Sequence, residues 1–336
     1  MGRYVIRRLL QFIPTVFFTM FLLHYLTSVA IQFTGNPVRA LFGDRRPPQH
    51  VLDQFTRALG LDDPCLEQKL NPCFGIFGDR LTNIFLHFDF GTDLRFRPVT
   101  DIVADALPYT VRLALIALAF DAVIGLLAGL LAGLRGGSFW DYLVKISTVL
   151  VISVPTFVLG LMAQQFGGVN LSNWMREQAW IPELISRGIF TTSYKPDYPW
   201  ASLVVPGLVL GALNLATTAR LTRTSIQENI RADYVRTAKA KGLAQKRVVG
   251  VHTLRNSLIP VVTNLGIDMG VLMGGAVVTE GIFNIPGLGR AILSGILRGE
   301  APVLIGIVTL LVLVYLFANL LVDVLYAVLD PRIRYD

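Results

Sequence analysis

Six stretches of this chain are long and apolar enough to cross a lipid bilayer, and they constrain its fold more than any motif. A helix needs roughly 20 mostly apolar residues to cross a hydrocarbon layer of ~30 Å. Residues 9–33, 108–134, 146–166, 200–219, 258–278 and 302–322 qualify. Backbone polar groups in lipid must be bonded within the protein, so such runs read as helices. Composition agrees: charged residues are 16% of the 336, against about 25% in soluble domains. The expected fold is an all-α integral membrane protein with six transmembrane helices.

The first run has Arg3, Arg7 and Arg8 before it and a small-x-small site at Ser28-Val29-Ala30. These are also marks of a cleaved leader. A leader's apolar core is only about 7–15 residues, so a retained helix is the expectation.

Charge orients the spans. Residues 220–255 hold nine Lys/Arg against Glu228 and Asp233, a net of +7. The loop between the second and third runs has Arg135 and Lys145 against Asp141, residues 167–199 balance, and Arg332 and Arg334 offset Asp330 and Asp336. The positive-inside rule then places both termini and the 220–255 loop in the cytoplasm. Residues 35–100 fall outside; their eight Lys/Arg do not conflict, because long loops cross regardless of charge. The expected organisation is a first segment with its helix (1–34), an external lobe (35–100), a core of helices two to six (101–330) and a cytoplasmic tail (331–336). The core includes a cytoplasmic loop at 220–257.

The lobe is too long for a simple connection. Val51, Leu52, Phe55 and Leu59 recur at helical spacing between Pro47-Pro48 and Gly60, which predicts a short helix at 49–60. Pro64, Pro72 and Gly75 read as breaks in the stretch after it. Cys65 and Cys73 are the chain's two cysteines. Outside the cell they form a disulfide candidate, with two free thiols as the alternative. His50 and His87 are not at zinc-ligand spacing to them.

Two spans repeat glycine at every fourth position: Gly125, Gly129 and Gly133, then Gly266, Gly270 and Gly274. Small residues on one face let helices approach closely in lipid. Such smooth faces can also slide during gating, and the sequence does not separate the two uses. Asp121 and Asp268 lie within spans. Intramembrane acids are functional candidates by default, with a hydrogen bond across helices as the bland alternative. Arg112 sits near the outer end of its run and can snorkel.

The basic loop reads as two short helices around Gly242, a residue able to take the left-handed turn that ends a helix. Tyr234, Val235 and Ala238 share a face, while Arg236, Lys239 and Lys241 fall elsewhere. No nucleic-acid partner is expected, since no recognised module is present. Anionic lipid fits the charge. A protein groove fits best, because Ala238 and Ala240 let a helix sit close while the charges orient it.

Several stretches carry a family resemblance. "DYVRTAKAKGL" (233–243) and "HTLRNSLIPVVT" (252–263) resemble the cytoplasmic "EAA" loop of ABC-transporter permeases in its peptide-permease form. "PVTDIVADALPYTVRLA" (98–114), "SVPTF" (153–157), "VVPGLVLGALNLATTARLTRTS" (204–225), "EGIFNIPGLGRAI" (280–292) and "LLVDVLYAVLDPRIR" (320–334) resemble the same group, over nearly the whole chain. The chain is thus similar to inner-membrane permeases of dipeptide and oligopeptide importers. The resemblance implies the type I importer permease fold in a bacterial cytoplasmic membrane. It implies a second homologous permease, two ATPase subunits and an external substrate-binding protein as partners, with membrane lipid around them. ATP and magnesium would be held by the ATPases, with no cofactor in this chain. Asp233, Tyr234, Arg236, Ala238, Lys239 and Gly242 would couple to an ATPase, and Glu280, Phe283, Pro286, Gly287 and Gly289 would form the outer gate.

The departures are specific. Arg236 stands where the general loop pattern has glutamate, as is usual in the peptide subgroup. Relatives often place Ser or Thr after the Gly-Leu pair; this chain has Ala244, leaving Gln245 as the residue to cap the second helix. "CLEQKLNPCFGIFGD" (65–79) reads as an insertion, and Phe88 replaces a common glycine.

The chain has no Gly-x-x-x-x-Gly-Lys-Ser/Thr phosphate loop and no catalytic constellation. It reads as non-enzymatic. The rival reading is an ion-gradient transporter using Asp121 or Asp268, though no internal repeat stands out. Glutathione or a nickel complex is the alternative cargo that the resemblance leaves open. A lipid-binding scaffold is a third class.

Overall fold

The computed structural model describes residues 2–42 and 47–329. The expected tail at 331–336 lies outside them. Among the described residues all regular elements are helical, with one isolated β-bridge between Thr92 and Pro98. In chain order the helices begin with α1 (Gly2–Thr34), α2 (Gln49–Ala58), α3 (Phe74–His87), α4 (Val99–Phe120) and α5 (Leu126–Leu134). Next come α6 (Phe139–Ser153), α7 (Thr156–Met162), α8 (Ser172–Arg176), α9 (Val204–Asn229) and α10 (Asp233–Ala240). The last are α11 (Gln245–Arg247), α12 (Leu254–Ile282), α13 (Leu288–Arg298) and α14 (Ala301–Leu329).

Among the described residues, five helical stretches are long and apolar enough to span a membrane: Leu9–Thr34, Val99–Leu134, Ala201–Asn229, Gln245–Gly274 and Ala301–Leu320. The expected third span, 146–166, is not one helix. α6 meets the helix at Thr156–Arg176 at 100°, and Val154 and Pro155 between them are extended. Proline has no N–H to donate and disfavours helical backbone before it, so the ladder breaks within "SVPTF". The fourth span is longer than expected. α9 continues to Asn229, so Arg220 and Arg223 stand on a helix rather than in the loop.

The described chain divides into two compact units. The unit of Met1–Tyr109 and Pro286–Val314 contains the lobe. Val38, Leu52 and Leu94 form the lobe's small core, covered by Phe42, Phe55 and Leu59. α2 matches the expected short helix. α3 differs from expectation, because Pro72 and Gly75 look like breakers. Both sit at the start of α3, where a helix tolerates them. α3 lies along α1: Phe21 stacks on Phe74 at 5.7 Å, and Phe17 and Phe21 meet Phe77 edge-on at 5.5 and 5.3 Å. Cys65 and Cys73 are joined as a disulfide, their Cα atoms 5.6 Å apart. His24, in the first span, is buried against this loop. Its Nε2 lies 3.1 Å from Pro72 O and 3.2 Å from Cys73 O. Gln32 Nε2 donates to Asn71 O at 2.8 Å.

The unit of Thr110–Ile285 and Tyr315–Asp336 is organised around α9, which packs on α5, α6, α7 and α12. The first glycine stripe is a packing face. A Cβ on Gly129 would come within 2.6 Å of Ala219 O, and one on Gly133 within 2.9 Å of Ile226. No side chain fits at those separations, so glycine is what lets α5 touch α9. The second stripe is used unevenly. Gly270 packs on Tyr315, whereas a Cβ on Gly274 would meet nothing within 4 Å.

Candidate functional site

The basic segment between α9 and α12 is smaller and more ordered than its composition suggests. α10 starts at Asp233, where the N–H groups of Val235 and Arg236 both donate to Ala232 O, at 3.0 and 3.1 Å. It ends in a left-handed turn at Gly242, with φ +72°. The Gly242 N–H donates to Lys239 O at 2.9 Å and the Leu243 N–H to Ala238 O at 3.3 Å. That is the double closure of a Schellman turn, and only glycine adopts its central conformation without strain. Val235, Ala238 and Val248 are buried together, with Leu243 packed on them.

This packing corrects one expectation. Ala238 does not belong to an outward-facing small face; it is buried inside the loop, while Ala240 stays exposed. Asp233, Tyr234, Arg236, Lys239 and Gly242 are also exposed. Ala244 stands at the cap of α11 and makes no side-chain cap bond. Instead the N–H groups of Arg247 and Val248 donate to Ala244 O, at 2.9 and 3.0 Å. A π-helical turn, Val248–Thr253, leads into α12.

The ends of the loop are pinned. Ser225 Oγ donates to Ser257 O at 3.0 Å and Ser257 Oγ to Ser225 O at 3.2 Å, joining α9 to α12. Asp141, almost fully buried on α6, pairs with Arg223 of α9 through two contacts, one of them 3.1 Å, and with Lys145 at 3.0 Å. In the sequence Asp141 and Arg223 enter only the charge balance. Eighty-two positions separate them, so no local pattern signals the contact.

The two intramembrane acids do come together. Asp121 opens a π-helical turn, Asp121–Gly125, that joins α4 to α5. It is fully buried at 0% exposure and Asp268 is 8% exposed. The two carboxyl groups lie within interaction range of each other, beside Thr218. Asn264 Nδ2 donates to Asp268 Oδ2 at 2.6 Å and to Thr218 Oγ1 at 3.3 Å. The Asn264 bonds tie α12 to α9, while both carboxylate oxygens of Asp121 are buried without a hydrogen-bond partner, in a π-turn, a local geometry that frequently marks functional positions.

The expected gate residues fall in both compact units. Glu280 is fully buried in the α9-centred unit and accepts a 2.6 Å hydrogen bond from Thr110 Oγ1. Phe283 caps α12, and its carbonyl accepts from Tyr194 N–H at 2.9 Å. Gln164 Nε2 donates to Thr192 O at 2.6 Å and to Ile282 O at 3.1 Å. In the lobe-bearing unit, Pro286 and Gly287 line an open groove of about 580 Å³ with Arg97, Asp105, Tyr109 and Arg290. Arg97 and Asp105 pair across part of it. Gly289 is buried in the first turn of α13. The turn at Asn284 is followed by the 11 helical residues of α13. Among the described residues no cluster of three or more His, Cys, Asp or Glu could hold a metal ion.

Among the described residues, five continuous candidate spans and one broken span, with a short exposed basic helix between two of them, define a multi-pass membrane protein. The chain belongs to the family described as binding-protein-dependent transport system inner membrane component, whose model matches residues 125–335. It is 35% identical to the dipeptide transport system permease protein DppB of Alkalihalophilus pseudofirmus, over 99% of each chain. It is 33% identical to DppB of Escherichia coli K12, over 100% of this chain and 99% of the relative. A solved structure of the MetNI methionine ABC transporter in an inward-facing conformation is similar in fold. Its TM-score is 0.53 at 18% identity, covering 69% of this chain and 97% of that one.

Proposed function

We propose that this chain is the membrane permease subunit of an ATP-driven importer, moving di- or oligopeptides across the cytoplasmic membrane by alternating access. The observation that carries the coupling part is the geometry of α10. It is short, exposed on its basic face, and hung between α9 and α12, which the Ser225–Ser257 pair ties together. A push on such an element moves two spans at once. The peptide part is supported by full-length relatives named for dipeptide transport.

In this reading both termini and α10 face the cytoplasm. Asp233, Tyr234, Arg236 and Lys239 dock on an ATPase subunit, with Gly242 and Ala238 shaping the helix that docks. Glu280, Phe283, Pro286, Gly287 and Gly289 serve the outer gate. A second permease subunit completes the pathway, two ATPases hydrolyse ATP with magnesium, and an external binding protein delivers cargo. The chain itself is not an enzyme.

The test is reconstitution with those partners and measurement of peptide uptake with hydrolysable and non-hydrolysable ATP. Uptake that needs hydrolysis supports the proposal. Uptake that ignores ATP and collapses with an ion gradient would favour a secondary transporter working through Asp121 and Asp268. Mass spectrometry of the cargo on the purified binding protein separates peptides from glutathione or nickel complexes.

A further inference from the structure

His24 and Gln32 are polar residues in the first apolar run, and the transport reading gives them no task. Polar side chains inside a span are costly and mark a specific use. Both are turned to the segment that leads into α3. His24 is 1% exposed, and its Nε2 lies 3.1 Å from Pro72 O and 3.2 Å from Cys73 O. Carbonyl oxygens only accept, so Nε2 carries the proton and donates. Gln32 Nε2 donates to Asn71 O at 2.8 Å. The Cys73 N–H donates to Asn71 Oδ1 at 2.9 Å and the Asn71 N–H to Gln68 O at 3.2 Å, while proline has no N–H. Every backbone N–H and C=O of the non-helical stretch 71–73 is thus paired, two of the three carbonyls by His24 and the third by Gln32.

The same contacts fix a depth. The span Leu9–Thr34 has 26 residues, about 39 Å of helix against a hydrocarbon layer of ~30 Å. Phe21 stands 13 positions before Thr34, about 20 Å from that end. Even with the whole excess of about 9 Å projecting on the lobe's side, Phe21 lies about 11 Å inside the hydrocarbon and His24 about 6 Å. Phe74 stacks on Phe21 at 5.7 Å, and Phe77 meets Phe17 and Phe21 at 5.5 and 5.3 Å. The start of α3 therefore sits at membrane depth. Non-helical backbone persists there only with its polar groups bonded within the protein, and 71–73 meets that condition.

α3 itself is two-sided. Phe74, Gly78, Leu81 and Phe85 recur at helical spacing on one face, where Phe74 is 66% and Phe85 61% exposed. Asp79 and Asn83, four positions apart, fall on the other face and line an open cleft with Asp62, Asp63 and Asp89. Aromatic rings left open at this depth suit acyl chains, and a cleft walled by acids suits water.

We propose that the lobe is anchored in the bilayer: residues 71–87 enter the leaflet on the lobe's side, with the Phe74–Phe85 face of α3 against lipid acyl chains and the Asp79–Asn83 face against water. His24 and Gln32 are the positioning residues that let the backbone turn there. The proposal rests on α1 as a membrane span and is independent of which side of the membrane the lobe occupies.

The test uses the full chain in lipid nanodiscs with a nitroxide label on one added cysteine. The native cysteines are joined to each other, so the added thiol alone takes the label. Gly78→Cys places it on the open face, where a Cβ meets nothing within 4 Å, and Asn83→Cys places it on the cleft. The label at 78 should collide several-fold more with oxygen, which concentrates in lipid, than with a water-soluble nickel chelate, and the label at 83 should show the reverse. A label at 78 as open to the chelate as the label at 83 overturns the proposal. So does a label at 78 shielded from both reagents, which would put a protein neighbour on that face. His24→Leu removes the donor to Pro72 and Cys73 and should open position 78 to the chelate; an unchanged pattern overturns the part given to His24. Should the cysteine variants not fold, wild-type chain in nanodiscs with a diazirine on the lipid acyl chain decides. Crosslinks within 74–87 support the anchor, and crosslinks confined to the spans overturn it.

Discussion

The lobe at 35–98 and the loop at 230–253 are both excursions from the spans, yet they are held in opposite ways. The lobe has a disulfide, a stack of aromatic rings against α1, and buried hydrogen bonds from His24 and Gln32. The loop has three small aliphatic residues and one left-handed glycine. A core as small as the lobe's needs a staple to hold one conformation. The loop needs only enough packing to keep α10 rigid, because its ends are fixed by the Ser225–Ser257 and Asp141–Arg223 contacts. Under the proposed function, the difference suits a rigid outer attachment and a light lever.

Substitutions can break that contrast, and the largest effect falls on the loop. Ala238→Asp places a carboxylate among Val235, Val248 and Leu243, with a cost of about 3 kcal/mol or more if it stays buried. The expected result is loss of ATP-dependent uptake with insertion and lobe structure intact. Normal uptake would show that the three-residue core is dispensable. On the other side, replacing both Cys65 and Cys73 by serine should cost the lobe about 2–3 kcal/mol for a loop this short. Limited proteolysis should then cut the lobe faster while ATPase stimulation by the permease is unchanged. Equal protease resistance would mean that the aromatic stack alone suffices.

Smaller effects sharpen the comparison. Gly242→Val forces a β-branched residue to φ +72°, at a cost of about 1–2 kcal/mol. A complex that still assembles but couples ATP hydrolysis poorly to uptake is the expected outcome, and unchanged coupling would remove Gly242 from the lever. Ala244→Ser supplies the absent cap of α11 and should slow hydrogen exchange at 245–248 by a factor matching about 1 kcal/mol or less. No change there would show that the paired backbone bonds to Ala244 O already satisfy that end.

Legibility tracks contact range. The spans, α2, the left-handed Gly242 and the packing stripe at Gly125, Gly129 and Gly133 are readable, because each rests on local spacing or on one residue's conformational freedom. α3 is hidden because Pro72 and Gly75 look like breakers when they mark a helix start. The break in the third span is hidden because hydropathy is blind to a single proline. Ala238 falls on the wrong face, since a helical wheel does not say which face a neighbour such as Val248 will cover.

By itself the sequence determined that this is a polytopic helical membrane protein with a basic loop hung between its fourth and fifth apolar runs. Those properties come from apolar run length and charge, which act locally and independently of partners. Only the tertiary structure decided that Asp121 meets Asp268, that Arg223 closes on Asp141, and that Phe21 stacks on Phe74. Each joins side chains far apart in sequence. Their energies depend on burial and geometry that exist only once the helices have packed.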